Sequence, residues 1–124
     1  MLLAIDVNEV WYDILLNMEK IYNKLVRDKV PDIINTNENG IATSRTLNDI
    51  EYAKELNLKL QEEVNEYLAS ENLEELADIL EVIHSMLSVK GKSFGELDTM
   101  RIEKANSRGG FGGRIFLEKV KAVK

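Results

Sequence analysis

Four acids stand out by spacing: Glu63 with Glu66 in EVNE, and Glu75 with Asp78 in ELAD. Three residues advance a helix by about one turn, so each pair shares one face. Ser70–Asn72 reads as a tight connection, which makes the two helices antiparallel neighbours and lets the pairs face each other. Carboxylates at close range repel, and burial raises the cost, so protons or cations must neutralise them. A site of carboxylates without His or Cys suits a hard dication, Mg²⁺ or Mn²⁺, which takes oxygen ligands, keeps waters and completes its shell with substrate phosphates. Any one glutamate in a chain with 31% charged residues is ordinarily a solvated helix acid. Two facing pairs across one hairpin carry more weight than that. Glu62 and Glu81 project away from the apolar lines and read as solvated or supporting groups.

The inventory narrows the chemistry further. There is no cysteine, which excludes disulfides, thiolate metal sites and Cys nucleophiles. The one histidine, His84, sits beside an apolar line and reads as a packed, hydrogen-bonded residue. A net charge of −6 disfavours a general grip on polymeric nucleic acid, so any phosphate must be handled by a few basic groups or by metal. The apolar opening Met1–Val7 is short and meets acids at Asp6 and Glu9, fitting neither a signal peptide nor a membrane span. A cytoplasmic protein with no membrane association is expected. At 124 residues, one domain is the default.

These acids need helices to position them. With a single proline, Pro31, the apolar periodicity predicts helices almost throughout. Val7, Val10, Trp11, Ile14, Leu15, Met18 and Ile21 mark a first amphipathic helix, and Pro31 suits the first turn of a short one followed by the turn-rich Asn35–Gly40. Ile41–Leu47 reads as extended or irregular. Asn48 with Glu51 opens a helix running to about Ala69, Asn72 with Glu75 caps the next, Gly91 closes it in a left-handed conformation, and Ser93 with Glu96 opens another that stops near Gly109. The tail is a glycine-rich loop leading into a mixed segment, Ile115–Val120. No internal repeat or linker divides the chain.

The chain resembles the MazG-like, all-α nucleoside triphosphate pyrophosphohydrolase superfamily, which includes phosphoribosyl-ATP pyrophosphohydrolase. Four anchors carry the resemblance: YNKLVRDKVPDII at Tyr22–Ile34, KLQEEVNE at Lys59–Glu66, ELADILEVI at Glu75–Ile83 and KANSRGGFGGRIFLE at Lys104–Glu118. The resemblance implies a helical bundle, Mg²⁺ held by Glu63, Glu66, Glu75 and Asp78, and cleavage between the α- and β-phosphates to release a nucleoside monophosphate and pyrophosphate. Attack by an activated water is expected, with Glu63, beside apolar neighbours, as the candidate acceptor of its proton. Lys24, Arg27 and Lys29 fall in a segment that the family associates with the phosphate end, and Lys59 lies within the second anchor. Lys104, Arg108 and Arg114 flank Gly109, Gly110, Gly112 and Gly113, a backbone able to approach phosphate. These seven form the candidate substrate-binding set. No GxxxxGK[ST] is present, so a P-loop reading fails.

Residues 1–20 precede the resemblance and read as an accessory helix to a domain at 21–124, with Met18 an alternative start. The helix from Leu73 is apolar on two sides, along Ile79, Val82 and Met86 and along Leu76, Leu80, Ile83 and Leu87, so a bundle completed by homodimerisation, or a higher homo-oligomer, is expected. Two other readings remain: phosphoribosyl-ATP hydrolysis, and a helical nucleotide-binding module without turnover.

Overall fold

The computed structural model describes residues 19–37 and 40–123. The expected first helix and accessory element fall almost wholly outside these residues; Ile21, the last position in its pattern, is exposed and not helical. All regular structure among the described residues is helical: α1, Val30–Asn37; α2, Asp49–Ser70; α3, Leu73–Val89; and α4, Phe94–Arg108. The fold class is therefore all-α, as the periodicity predicts. Between residues 19 and 29 the chain runs without a helix. Although the sequence shows no linker, the chain forms two compact units, Met1–Gly91 and Lys92–Lys124.

In the first unit α2 packs against α3 as an antiparallel hairpin. The Asn48 side chain accepts a hydrogen bond from the Glu51 backbone N–H at 2.9 Å, satisfying one of the orphan donors of the first turn. Glu51 does not reach back to complete a capping box; both its oxygens take the Arg45 guanidinium, at 3.1 and 2.8 Å. This pair holds the Glu51 carboxyl below its usual range. α2 ends at Glu71, which adopts the left-handed conformation (φ 56°) more usual for glycine, and its N–H closes on the Tyr67 carbonyl. That one residue and Asn72 make the whole connection to α3.

Asn72 has the extended backbone of an N-cap but makes no side-chain capping bond, against the expected Asn72–Glu75 pair. Glu75 turns inward instead. α3 terminates through Lys90 and Gly91, whose φ of 66° is the expected left-handed position. α1 starts at Val30 and runs to Asn37, further than the turn-rich sequence suggested. Val30 and Ile34 on its inner face are buried, with Tyr22, Val26 and Ala42 packed against them. Leu56 of α2 and Val82 and Leu87 of α3 are the remaining buried apolar residues, each burial worth about 1.5–3 kcal/mol. His84 is exposed, not packed: it lies off the stripe of α3 that meets α2.

In the second unit α4 is capped by Ser93, whose hydroxyl accepts from the Glu96 N–H at 3.1 Å. It ends at Gly109, also at positive φ (84°). Residues 109–123 have no regular structure, so the mixed Ile115–Val120 segment is neither helix nor strand. Among the described residues no helix is long and apolar enough to cross a membrane.

The caps separate two variants that look alike in sequence. Asn48→Ala should cost about 1 kcal/mol, whereas Asn72→Ala should cost only a few tenths, roughly the propensity difference alone. Urea unfolding followed by circular dichroism measures both; equal losses would show that Asn72 also caps.

Candidate metal centre

The α2–α3 hairpin brings both acidic pairs inward. Glu63, Glu75 and Asp78 are among the most buried of the described residues, at 3%, 1% and 3% exposure, and Glu66 is half-buried beside them. Helix periodicity explains this: Glu63 follows Leu56 by two turns, and Asp78 precedes Val82 by one, so the acids ride on the stripe that meets the neighbouring helix. One carboxylate oxygen from each of Glu63, Glu66 and Glu75 lies within 4.8 Å of the others. Asp78 stands outside this set of three. Its Oδ1 accepts a hydrogen bond from Arg27 Nη2 at 2.7 Å.

Four oxygens in this group are buried and lack any hydrogen-bond partner: Glu63 Oε2, Glu66 Oε2, Glu75 Oε2 and Asp78 Oδ2. Orphaned buried carboxylate oxygens are costly, and each calls for a proton, a cation or an ordered water. Part of the compensation comes from basic side chains. Lys59, itself buried, lies 3.2 Å from Glu62 Oε2 and 3.5 Å from Glu63 Oε1. Glu62 in turn takes Lys24 at 2.8 Å. Glu62 thus bridges two lysines, the supporting and not the solvated one of its two expected roles.

Protons supply a further part. Burial, and then the neighbouring Glu63 carboxylate, raise the Glu66 carboxyl to about 7. Burial also pushes Glu63 upward, partly offset by Glu66 as a proton donor and by Lys59. The Glu63–Glu66 pair is therefore where a proton is retained near neutrality.

A cleft of about 500 Å³ opens beside these acids. Glu63 and Asp78 border it together with Arg27, Lys29 and Lys59, while Val30, Leu56 and Val82 form an apolar wall. Tyr52 and Ser85 also line it, and neither stood out by type or spacing in the sequence. The arrangement sets acids that could hold a cation, cations that could hold phosphate and a surface that could take an uncharged ring around one space. Of the seven predicted substrate-binding residues, Arg27, Lys29 and Lys59 border this cleft and Lys24 is tied to Glu62. Lys104 and Arg108 are exposed on α4, and Arg114 is exposed in the loop at a positive φ of 57°; all three belong to the second unit. Phe111 is fully exposed. The chain matches no protein-family model, no curated protein and no solved structure.

The raised Glu66 carboxyl makes stability depend on pH. An unfolded glutamate titrates near ~4.3, so between that value and about 7 the folded protein holds a proton that the unfolded chain releases. This stabilisation is complete below pH ~4.3 and is lost as pH rises through about 7, roughly 3–4 kcal/mol from the shift alone and less once solvent screens the half-buried carboxyl. In EDTA, thermal unfolding should thus occur at lower temperature at pH 8 than at pH 5.5, and Glu66→Gln should flatten the trend. A wild type whose melting temperature is level or rises across that interval contradicts the assignment.

Proposed function

We propose that the chain is a Mg²⁺-dependent nucleoside triphosphate pyrophosphohydrolase of the MazG-like superfamily, acting in the cytoplasm on the nucleotide pool. The observation that carries the reading is the set of four partnerless, buried carboxylate oxygens, two of which, on Glu63 and Asp78, belong to residues bordering a cleft that also holds Arg27, Lys29 and Lys59. The donor set fits the ion: all oxygen, all carboxylate, three converging from two helices and a fourth adjacent. Glu63, Glu66, Glu75 and Asp78 would hold it, with Mn²⁺ an acceptable substitute. When bound, Mg²⁺ supplies charge neutralisation for the phosphates and lowers the pKa of a water at the site.

The remaining steps belong to the protein's own side chains. Arg27 and Lys29 orient the polyphosphate through charge-assisted hydrogen bonds, and Lys59 keeps Glu63 fixed. Water adds to the α-phosphorus, the bond to the bridging oxygen breaks, and pyrophosphate leaves with that oxygen. The proton of the attacking water passes to a carboxylate, Glu63 or its neighbour Glu66. The apolar wall of Val30, Leu56 and Val82 excludes bulk water from the base side.

The active form is proposed to be a homodimer. Leu73, Leu76 and Leu80 lie along one side of α3 at 80%, 45% and 44% exposure, whereas Val82 is already covered by the rest of the chain. Five apolar residues are buried among those described, and a second copy covering the leucine stripe would add to that core.

Pyrophosphate release across a panel of nucleoside triphosphates tests the activity directly. Glu75→Gln and Asp78→Asn should each lower turnover by at least about 100-fold at unchanged helical content. EDTA should stop the reaction, Mg²⁺ or Mn²⁺ should restore it, and Ca²⁺ should do so poorly because it prefers longer, looser coordination. Near-normal turnover in both variants would sink the assignment. Sedimentation equilibrium reads the assembly: a wild type at 14.1 kDa is a monomer and refutes the dimer, whereas Leu76→Lys with Leu80→Lys should dissociate a genuine one.

A further inference from the structure

Three cations touch the acids of the hairpin, and they are not held alike. Lys59 is enclosed: its side chain is 9% exposed and lies between Glu62 and Glu63, so removing it would leave a buried charge unpaired. Lys24 reaches only Glu62, on the outer side of the cluster. Arg27 differs from both. Its side chain is 44% exposed, yet it ends on Asp78, whose side chain is 4% exposed. The contact is a single Nη2–Oδ1 bond, not the two-point fork that guanidinium and carboxylate prefer, and Asp78 Oδ2 has no partner. One end of this pair is fixed by burial and the other is free to swing. The same guanidinium borders the cleft beside Lys29 and Lys59.

We propose that Arg27 is an exchangeable counter-ion, holding Asp78 while the carboxylates carry no metal and moving to a phosphate oxygen of the substrate when a divalent cation takes Asp78. The inference rests on the metal-site reading above and assigns to one residue the coupling between cation and substrate. A dication and a guanidinium on one small carboxylate repel strongly at close range, so each weakens the other's hold. An incoming polyphosphate supplies the negative charge that Arg27 loses. Arg27 therefore opposes metal binding in the absence of substrate and favours substrate once metal is present. By linkage, phosphate and cation then each strengthen the binding of the other. Asp78 fits this account, since it is the one predicted ligand outside the three converging oxygens and the one bound to an arginine.

The test measures Mn²⁺ uptake, by the electron paramagnetic resonance signal of the free ion, in the wild type, Arg27→Gln, Arg27→Lys and Glu75→Gln, with helical content checked by circular dichroism. Inorganic pyrophosphate is then titrated calorimetrically at saturating Mn²⁺. Arg27→Gln should bind Mn²⁺ roughly three- to tenfold more tightly than the wild type, and pyrophosphate more weakly by at least a similar factor. Arg27→Lys, which keeps the charge, should remain within about twofold of the wild type for Mn²⁺. Unchanged or weaker Mn²⁺ binding in Arg27→Gln overturns the exchange, as does an unchanged pyrophosphate affinity or a lysine variant that behaves like the glutamine one. A wild type that takes up no Mn²⁺, or a Glu75→Gln variant that takes it up equally well, marks failure of the metal reading itself, and the exchange falls with it.

Discussion

Four carboxylates held in one poorly solvated space must be neutralised, and much of the first unit can be understood from that requirement. Glu63, Glu66, Glu75 and Asp78 project from two helices joined by only two residues, so their mutual repulsion acts directly on the α2–α3 packing. Lys59 lies buried because Glu63 needs a cation within the hairpin, and Glu62 bridges Lys59 to Lys24 at its edge. The helix-free stretch before α1 brings Arg27 onto Asp78. Removing Lys59 leaves the buried Glu63 with its full desolvation penalty, which is why the polar network and the fold are hard to separate.

The hairpin was readable in the sequence because its determinants are local. Asn48 with Glu51, the apolar line from Ala53 to Tyr67 and the glycine at 91 all act within a few residues of themselves. The i, i+3 spacing likewise placed the acids on common faces. What stayed hidden were contacts set by tertiary structure. Arg27 and Asp78 are separated by 51 positions, and no periodicity relates them. Asn72 makes no side-chain capping bond although its sequence context matches that of Asn48; the Glu75 N–H bonds the Asn72 backbone carbonyl at 3.1 Å instead. His84 was misread since an apolar stripe on a helix does not say which of its two edges meets a neighbour.

The two units differ in charge as well as in structure. Residues 1–91 carry eighteen acidic and eight basic side chains, while residues 92–124 carry four and eight. The overall deficit of positive charge, read from composition as a bar to gripping nucleic acid, therefore describes the first unit and not the second. The candidate phosphate groups Lys104, Arg108 and Arg114 contribute to the basic balance of the second unit, next to the exposed Phe111, Ile115 and Phe116.

The two-residue connection through Glu71 and Asn72 also bears on how the chain reaches its native state. Glu66 and Glu75 are only nine positions apart, so closing the hairpin requires little loop entropy and can occur early, within the fast regime typical of local helical contacts. That same closure is the event that crowds the acids together. The electrostatic cost consequently falls at the beginning of folding, on the pairing step, where protons or divalent ions in the medium set the height of the barrier as well as the depth of the native well. For this chain the ionic environment is expected to act on the rate of folding as well as on stability, because the two helices closest in sequence are the ones whose pairing concentrates the charge.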